Sequence, residues 1–132
     1  MAVRFDKIMK GREYSRKELA AIWGYASYHA IARGVVTPQN DNKIVLFVTE
    51  QKQDFQEQYA DRLKGAILEW EGPTDHFAER RMLDARTSGD QIHVFYRVRH
   101  HMDFTYLGQG LVVSHERYTD RPSKFRLEVG GA

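Results

Sequence analysis

The run Lys43–Thr49, KIVLFVT, constrains the fold more than any other stretch of this chain. It is almost continuously β-branched or aromatic, with no polar alternation, and it predicts a buried central strand. Such a strand needs neighbours, and the sequence offers several. Ala66–Trp70 predicts a strand that ends at the Gly72-Pro73 breaker. Gln91–Arg99 alternates, with Ile92, Val94 and Tyr96 on one face and His93, Phe95, Arg97 and Arg99 on the other. Thr105–His115 predicts another strand, with a bulge or bend at Gly108 and Gly110. Ser123–Val129 alternates so that Phe125, Leu127 and Val129 share a face.

Ahead of these strands, Ser15–Trp23 reads as a capped helix. Ser15 is the N-cap, Glu18 stands at capping-box spacing, and Gly24 is the stop. Leu19, Ile22 and Trp23 would form its apolar face. A second short helix is expected over Ser27–Arg33, capped by Ser27 and ended by Gly34. Val35–Asn42 reads as a connection, Asp54–Lys64 as a polar loop or helical turn, and Tyr118–Pro122 as a turn. In the charged stretch Thr74–Asp90 a loop, a short strand near Arg81–Leu83 and a turn at Ser88-Gly89-Asp90 are expected. The fold class is α+β: an N-terminal helix pair, then a mostly antiparallel, curled sheet or partial β-barrel of five to six strands. Residues 1–132 read as a single domain.

Hydrophobic residues make up 42% of the chain and aromatics 12%, enough for a packed core and too many for a disordered tail. The uncharged run Ile44–Thr49 is far too short to span a membrane, and no signal-peptide h-region is visible. No membrane partner is expected. The absence of cysteine fits a reducing, cytoplasmic setting and removes disulfides and thiolate metal sites. Net charge is only +2, so any polyanion partner must be met by local patches. Basic residues gather in Arg4–Lys17 and Arg97–His101.

The segment QIHVFYRVRHHMDFTYLGQG, Gln91–Gly110, brings Arg97, Arg99, His100 and His101 close to Phe104 and Tyr106. Cations supply phosphate contacts, and aromatic faces supply stacking or pocket walls. Ser15–Gly34 has the outline of a helix-turn-helix that would expose Tyr28, His29 and Arg33. It equally fits an ordinary αα-hairpin packed on the sheet. Lys52 and Arg16 are further phosphate candidates. The six histidines show no HExxH or close His-x-His spacing, and no metal is expected. With no P-loop and no GxGxxG, no nucleotide cofactor is indicated. No GxSxG is present. A metal-dependent nuclease would have to use Asp61, Glu69 and Glu71.

The order FVTEQK (Phe47–Lys52), YADRL (Tyr59–Leu63), LEWEGP (Leu68–Pro73), VFYRVRHHMDFTYLG (Val94–Gly108) and RPSKFRLEV (Arg121–Val129) resembles a domain of unknown function. That domain occurs at the C-terminus of bacterial superfamily 2 helicases, often with a phospholipase-D-type nuclease, and beside restriction nucleases. The resemblance covers about Tyr14–Val129. It implies a targeting module that reads modified double-stranded DNA, with either a modified base or a phosphorothioate backbone, for a nuclease or helicase domain in cis or trans. A flipped base would need a pocket with aromatic stacking and edge hydrogen bonds. A backbone sulfur would prefer an apolar cup, from groups such as Tyr28, Ala30 or Pro38, beside an arginine. The expected function is a non-enzymatic DNA-binding domain contacting DNA through Tyr28, His29, Arg33, Arg97, Arg99, His100, His101, Phe104, Tyr106, Lys52 and Arg16. The alternatives are a nuclease and a protein-interaction domain of a helicase.

Overall fold

The run at 43–49 lies inside an eight-stranded mixed sheet. A computed structural model describes residues 3–51 and 61–131. The strands are β1 (Glu13–Tyr14), β2 (Val35–Val36), β3 (Lys43–Gln51), β4 (Arg62–Lys64), β5 (Ile67–Glu71), β6 (Gln91–Arg99), β7 (Phe104–Glu116) and β8 (Lys124–Gly131). Their order is β2-β3-β6-β7-β8-β5-β4, with β1 alongside β7. The helices are α1 (Arg16–Trp23), α2 (Glu79–Leu83) and α3 (Ala85–Ser88), with a 3-10 turn at Tyr28–Ile31.

β3 and β6 pair in parallel, Ile44 opposite Ile92 and Phe47 opposite Phe95. The other pairings are antiparallel. Because both central strands are covered on two faces, alternate residues feed two cores. Val45, Phe47 and Phe95 join Tyr14, Leu19, Trp23 and Ile31 on one side. Ile44, Leu46, Val48, Ile92 and Val94 join Leu68, Trp70, Met82, Phe125 and Leu127 on the other. Strands as far apart in the order as β3 and β5 share that second cluster, so the sheet bends around it. It does not close into a barrel.

The capping box forms as its residues dictate. The Glu18 amide donates to Ser15 Oγ at 3.0 Å and the Ser15 amide to Glu18 Oε1 at 3.1 Å. Gly24, at φ 80°, ends the helix in the left-handed region that glycine enters without strain. The buried face is Leu19, Ala20 and Trp23, while Ile22 is exposed. Trp23 fixes the N-terminal segment by donating its indole N–H to the Arg4 carbonyl at 2.8 Å.

Several expectations are corrected. The helix pair is one α-helix followed by a four-residue 3-10 turn, ended at Ala32 rather than Gly34. The Gly34 carbonyl instead accepts from the Phe47 amide at 2.8 Å, tying the chain onto β3. So short a turn does not supply a recognition helix, and the helix-turn-helix outline fails. Val35–Val36 and Arg62–Lys64 are strands where connections were expected, so the sheet has more than five or six strands. Arg81–Leu83 is helical, because Met82 and Ala85, three apart, both face the core. Arg81 also donates to Asp90 Oδ2 at 2.8 Å and to the Asp41 carbonyl at 2.7 Å. The bend in β7 is present: Val94 faces Gly108 but Phe95 faces Tyr106, leaving Leu107 as the extra residue. No helix among the described residues is long and apolar enough to cross a membrane.

Candidate functional site

The start of α1 and the far end of β6 converge on one basic cup. The Arg16 guanidinium lies 4.7 Å from the Phe47 ring centroid and 5.0 Å from that of Phe104. The Arg97 guanidinium lies 4.2 Å from the Phe104 centroid. These are cation–π distances. Arg16 Nε donates to the Ile31 carbonyl at 3.0 Å, and Arg97 Nε to Thr49 Oγ1 at 2.8 Å. Arg97 also donates to the Met102 carbonyl at 3.3 Å. Among the described residues, no carboxylate lies within ion-pair distance of either guanidinium. Burial, and then the Arg97 charge, lower Arg16 to about 10. Burial also lowers Arg97. The cup has a volume of about 290 Å³ and is completed by Lys17, Tyr28, His101 and Met102.

The other predicted residues divide. His100 and His101 form the exposed β6–β7 tip, their rings 4.7 Å apart, with His101 at φ 77°. Desolvation, then the charges of Arg97, His101 and Arg16, hold His100 below its ordinary value. Tyr28 is exposed beside His29, ring centroids 4.3 Å apart. Arg99 is exposed at the end of β6. Lys52 lies outside the described residues. Phe104 is the buried floor under both arginines and not an exposed wall. Tyr106 is misplaced by the sequence reading: it is buried, hydrogen bonded to His93 Nδ1 at 2.6 Å, and absent from the cup. Pro38 is buried and offers no surface.

Arg33 belongs to a second cleft, which the sequence reading missed. About 350 Å³ in volume, it lies where the two ends of the bent sheet approach. Val35 and Phe47 line one side, and Asp61, Trp70, Gly72 and Phe77 line the other. Asp61 is only 3% exposed, and its Oδ1 accepts from the Glu71 amide at 2.8 Å. Tyr96 is pushed up to about 12 by burial, by its hydrogen bond to Glu50, and by the Glu50 and Asp61 charges. Arg33 reaches across the mouth: its guanidinium is 3.9 Å from Asp75 Oδ2 and 5.2 Å from the Phe77 centroid. No local spacing in the sequence announces this cleft. Trp70 lies on β5, which is flanked by β8 and β4.

The acidic trio does not assemble. Asp61 is buried, whereas Glu69 pairs with Arg126 across β5–β8 at 3.6 Å. Among the described residues no group of three or more His, Cys, Asp or Glu side chains could hold a metal ion.

The chain belongs to the family described as Domain of unknown function (DUF3427), whose model matches residues 8–127. Among solved structures it is similar to the SRA domain of SUVH5, crystallised in complex with fully methylated CG DNA. Identity is 13% and the TM-score 0.59, over 97% of this chain and 93% of that one, a likeness of fold. No curated protein matches the sequence.

Proposed function

We propose that this domain is a non-enzymatic reader of modified double-stranded DNA. It targets a restriction or defence nuclease, carried in cis or trans with a helicase or nuclease domain, in the cytoplasm. The observation that carries this reading is the Arg16–Arg97 pair. Two half-buried guanidiniums share an aromatic floor, and although Asp103 also lines the cup, no carboxylate among the described residues lies within ion-pair distance of either, which leaves their charge available to a phosphate. His100, His101 and Arg99 extend the basic face, and Tyr28 and His29 flank it. The fold shared with a domain crystallised on methylated DNA points the same way.

The modification is a base substituent or a backbone sulfur. The cup favours the sulfur on one ground: Tyr28, Met102 and Phe104 give a soft, weakly hydrated atom apolar contacts beside the arginines. Backbone contacts position the domain, and the cup or the cleft supplies selectivity.

Binding to plain, 5-methylcytosine, hydroxymethylcytosine and phosphorothioate duplexes of one sequence, measured across salt, tests this proposal. One of the modified duplexes is expected to bind tighter than plain DNA, with log affinity falling linearly with log salt. Arg97→Ala should lower the salt slope by about 0.9 and weaken modified and plain DNA unequally. Salt-independent binding, or plasmid cleavage with Mg²⁺ or Mn²⁺, would overturn the proposal.

A further inference from the structure

We infer that DNA binding at the cup is coupled to proton uptake by His100, so that mild acid tightens the grip on the backbone. The inference rests on the DNA-reading proposal and deepens it, because it names a regulator of the same site. The geometry begins at the β6–β7 tip. Residues 99–102 form a turn in which the Met102 amide donates to the Arg99 carbonyl at 3.3 Å. His101 stands third in that turn at φ 77°, the positive φ that some four-residue turns require there. The Met102 carbonyl accepts from Arg97 at 3.3 Å, which draws the tip onto that guanidinium. His101 lines the cup, and the His100 ring packs edge-on against it with centroids 4.7 Å apart.

The groups around His100 are mostly cations. β6 brings Arg97 and Arg99, and α1 brings Arg16, with Lys17 lining the cup beside it. From the 3-10 turn come Tyr28, which also lines the cup, and its neighbour His29. Asp103 follows the tip and is the one acidic side chain on the cup wall among the described residues. It lies beyond ion-pair distance of Arg16 and Arg97. Desolvation, and then the charges of Arg97, His101 and Arg16, hold His100 below its ordinary 6.5. An empty cup therefore resists one more positive charge.

A phosphate reverses the local sign. Seated on the two guanidiniums, its negative charge offsets their repulsion and favours the imidazolium form of His100. The bound value of His100 then lies above the free one. Between the two values the complex holds a proton that the free protein lacks. Affinity is level below the free value, falls as pH rises through the window, and is level again above the bound value. The DNA backbone adds nothing to this slope, since a phosphodiester stays ionised throughout. Histidine is the side chain whose ordinary range meets such a window.

The test measures binding of a plain duplex at fixed salt from about pH 7.5 to about pH 5.5. One proton limits the gain to about tenfold in affinity per pH unit. Wild-type protein should gain severalfold over the range, and His100→Gln should gain clearly less. Calorimetry in two buffers of different ionisation heat should count a fraction of a proton taken up by wild type, and a smaller fraction by the variant. An NMR titration should show the His100 midpoint rising when the duplex is added. Affinity that does not change with pH, a slope unchanged in His100→Gln, or a His100 midpoint that stays in place would overturn the inference. Salt-dependent binding to the same duplex would then leave the DNA-reading proposal standing. Absence of binding to any duplex would overturn both.

Discussion

His93 should make the stability of this domain depend on pH between 6.5 and about 4. Its ring is 3% exposed and stacks on Phe5 with centroids 3.7 Å apart. The Gln91 amide oxygen, 3.0 Å from Nε2, can only accept, so Nε2 carries the proton and Tyr106 donates to Nδ1. Burial first, then the Lys43 charge, lower His93 from 6.5 to about 4, against a smaller opposing effect of Asp41. At about 1.4 kcal/mol per pKa unit, this difference is worth about 3 kcal/mol. In the window from 6.5 down to about 4, the unfolded chain binds the extra proton and the folded one does not. Stability is therefore complete above the window, falls as pH drops through it, and loses no more from this group below it. Urea unfolding followed by tryptophan fluorescence at a series of pH values measures the effect, since Trp23 packs 5.6 Å from Phe5. His93→Gln should flatten the dependence across the window, and an NMR titration of folded wild type should place the His93 midpoint near 4. The same slope in wild type and variant, or a midpoint near the ordinary histidine value, would refute the reasoning.

Two substitutions test the packing that holds the site in place. Gly108, at φ 96°, would bring an added Cβ to 3.1 Å from Lys10 Cδ and 3.3 Å from Gly130 Cα, whereas Gly11, at φ 88°, has nothing within 4 Å. Gly11→Ala should cost about 1–2 kcal/mol by backbone strain alone and Gly108→Ala more, read as the difference between their thermal midpoints. Glu79 is 3% exposed, lies 2.5 Å from His76 Nδ1 and accepts from Ser123 Oγ at 3.0 Å. Glu79→Leu should destabilise by about 1–3 kcal/mol in urea unfolding, because it removes the carboxylate that both His76 and the buried Ser123 hydroxyl bond.

Local signals in the sequence were reliable where the structure is local. Ser15, Glu18 and Gly24 specify α1 because their partners are three to five residues away. The run at 43–49 and the glycine-marked bend in β7 are likewise backbone-level features. What failed depends on distant partners. α2 is charged and irregular in sequence, and becomes intelligible only when Arg81 meets Asp41 and Asp90, and Glu79 meets Ser123. The parallel pairing of β3 with β6 cannot be read from two apolar strands, since their side-chain pattern is the same in either direction. Tyr106 alternates with its neighbours as a surface residue would, yet β1 and the N-terminal segment cover it.

The cup holds Arg16, a further phosphate candidate from the sequence, beside Arg97. Both guanidiniums are anchored, but their partners are neutral: the carbonyls of Ile31 and Met102 and the hydroxyl of Thr49. Neutral acceptors satisfy donor N–H groups and fix geometry without cancelling charge. A carboxylate would have done both and closed the site to a phosphate. The aromatic floor acts in the same sense, since it holds a cation by its ring face and contributes no net charge. Burial, and then the Arg97 charge, make Arg16 costly to keep charged and lower it to about 10, while burial lowers Arg97. An anion between the two guanidiniums would offset the Arg97 share of that cost. An arrangement that is electrostatically unfavourable when empty and relieved by one negative group is what a phosphate contact requires, and it links α1 to β6 at the point where the cleft begins.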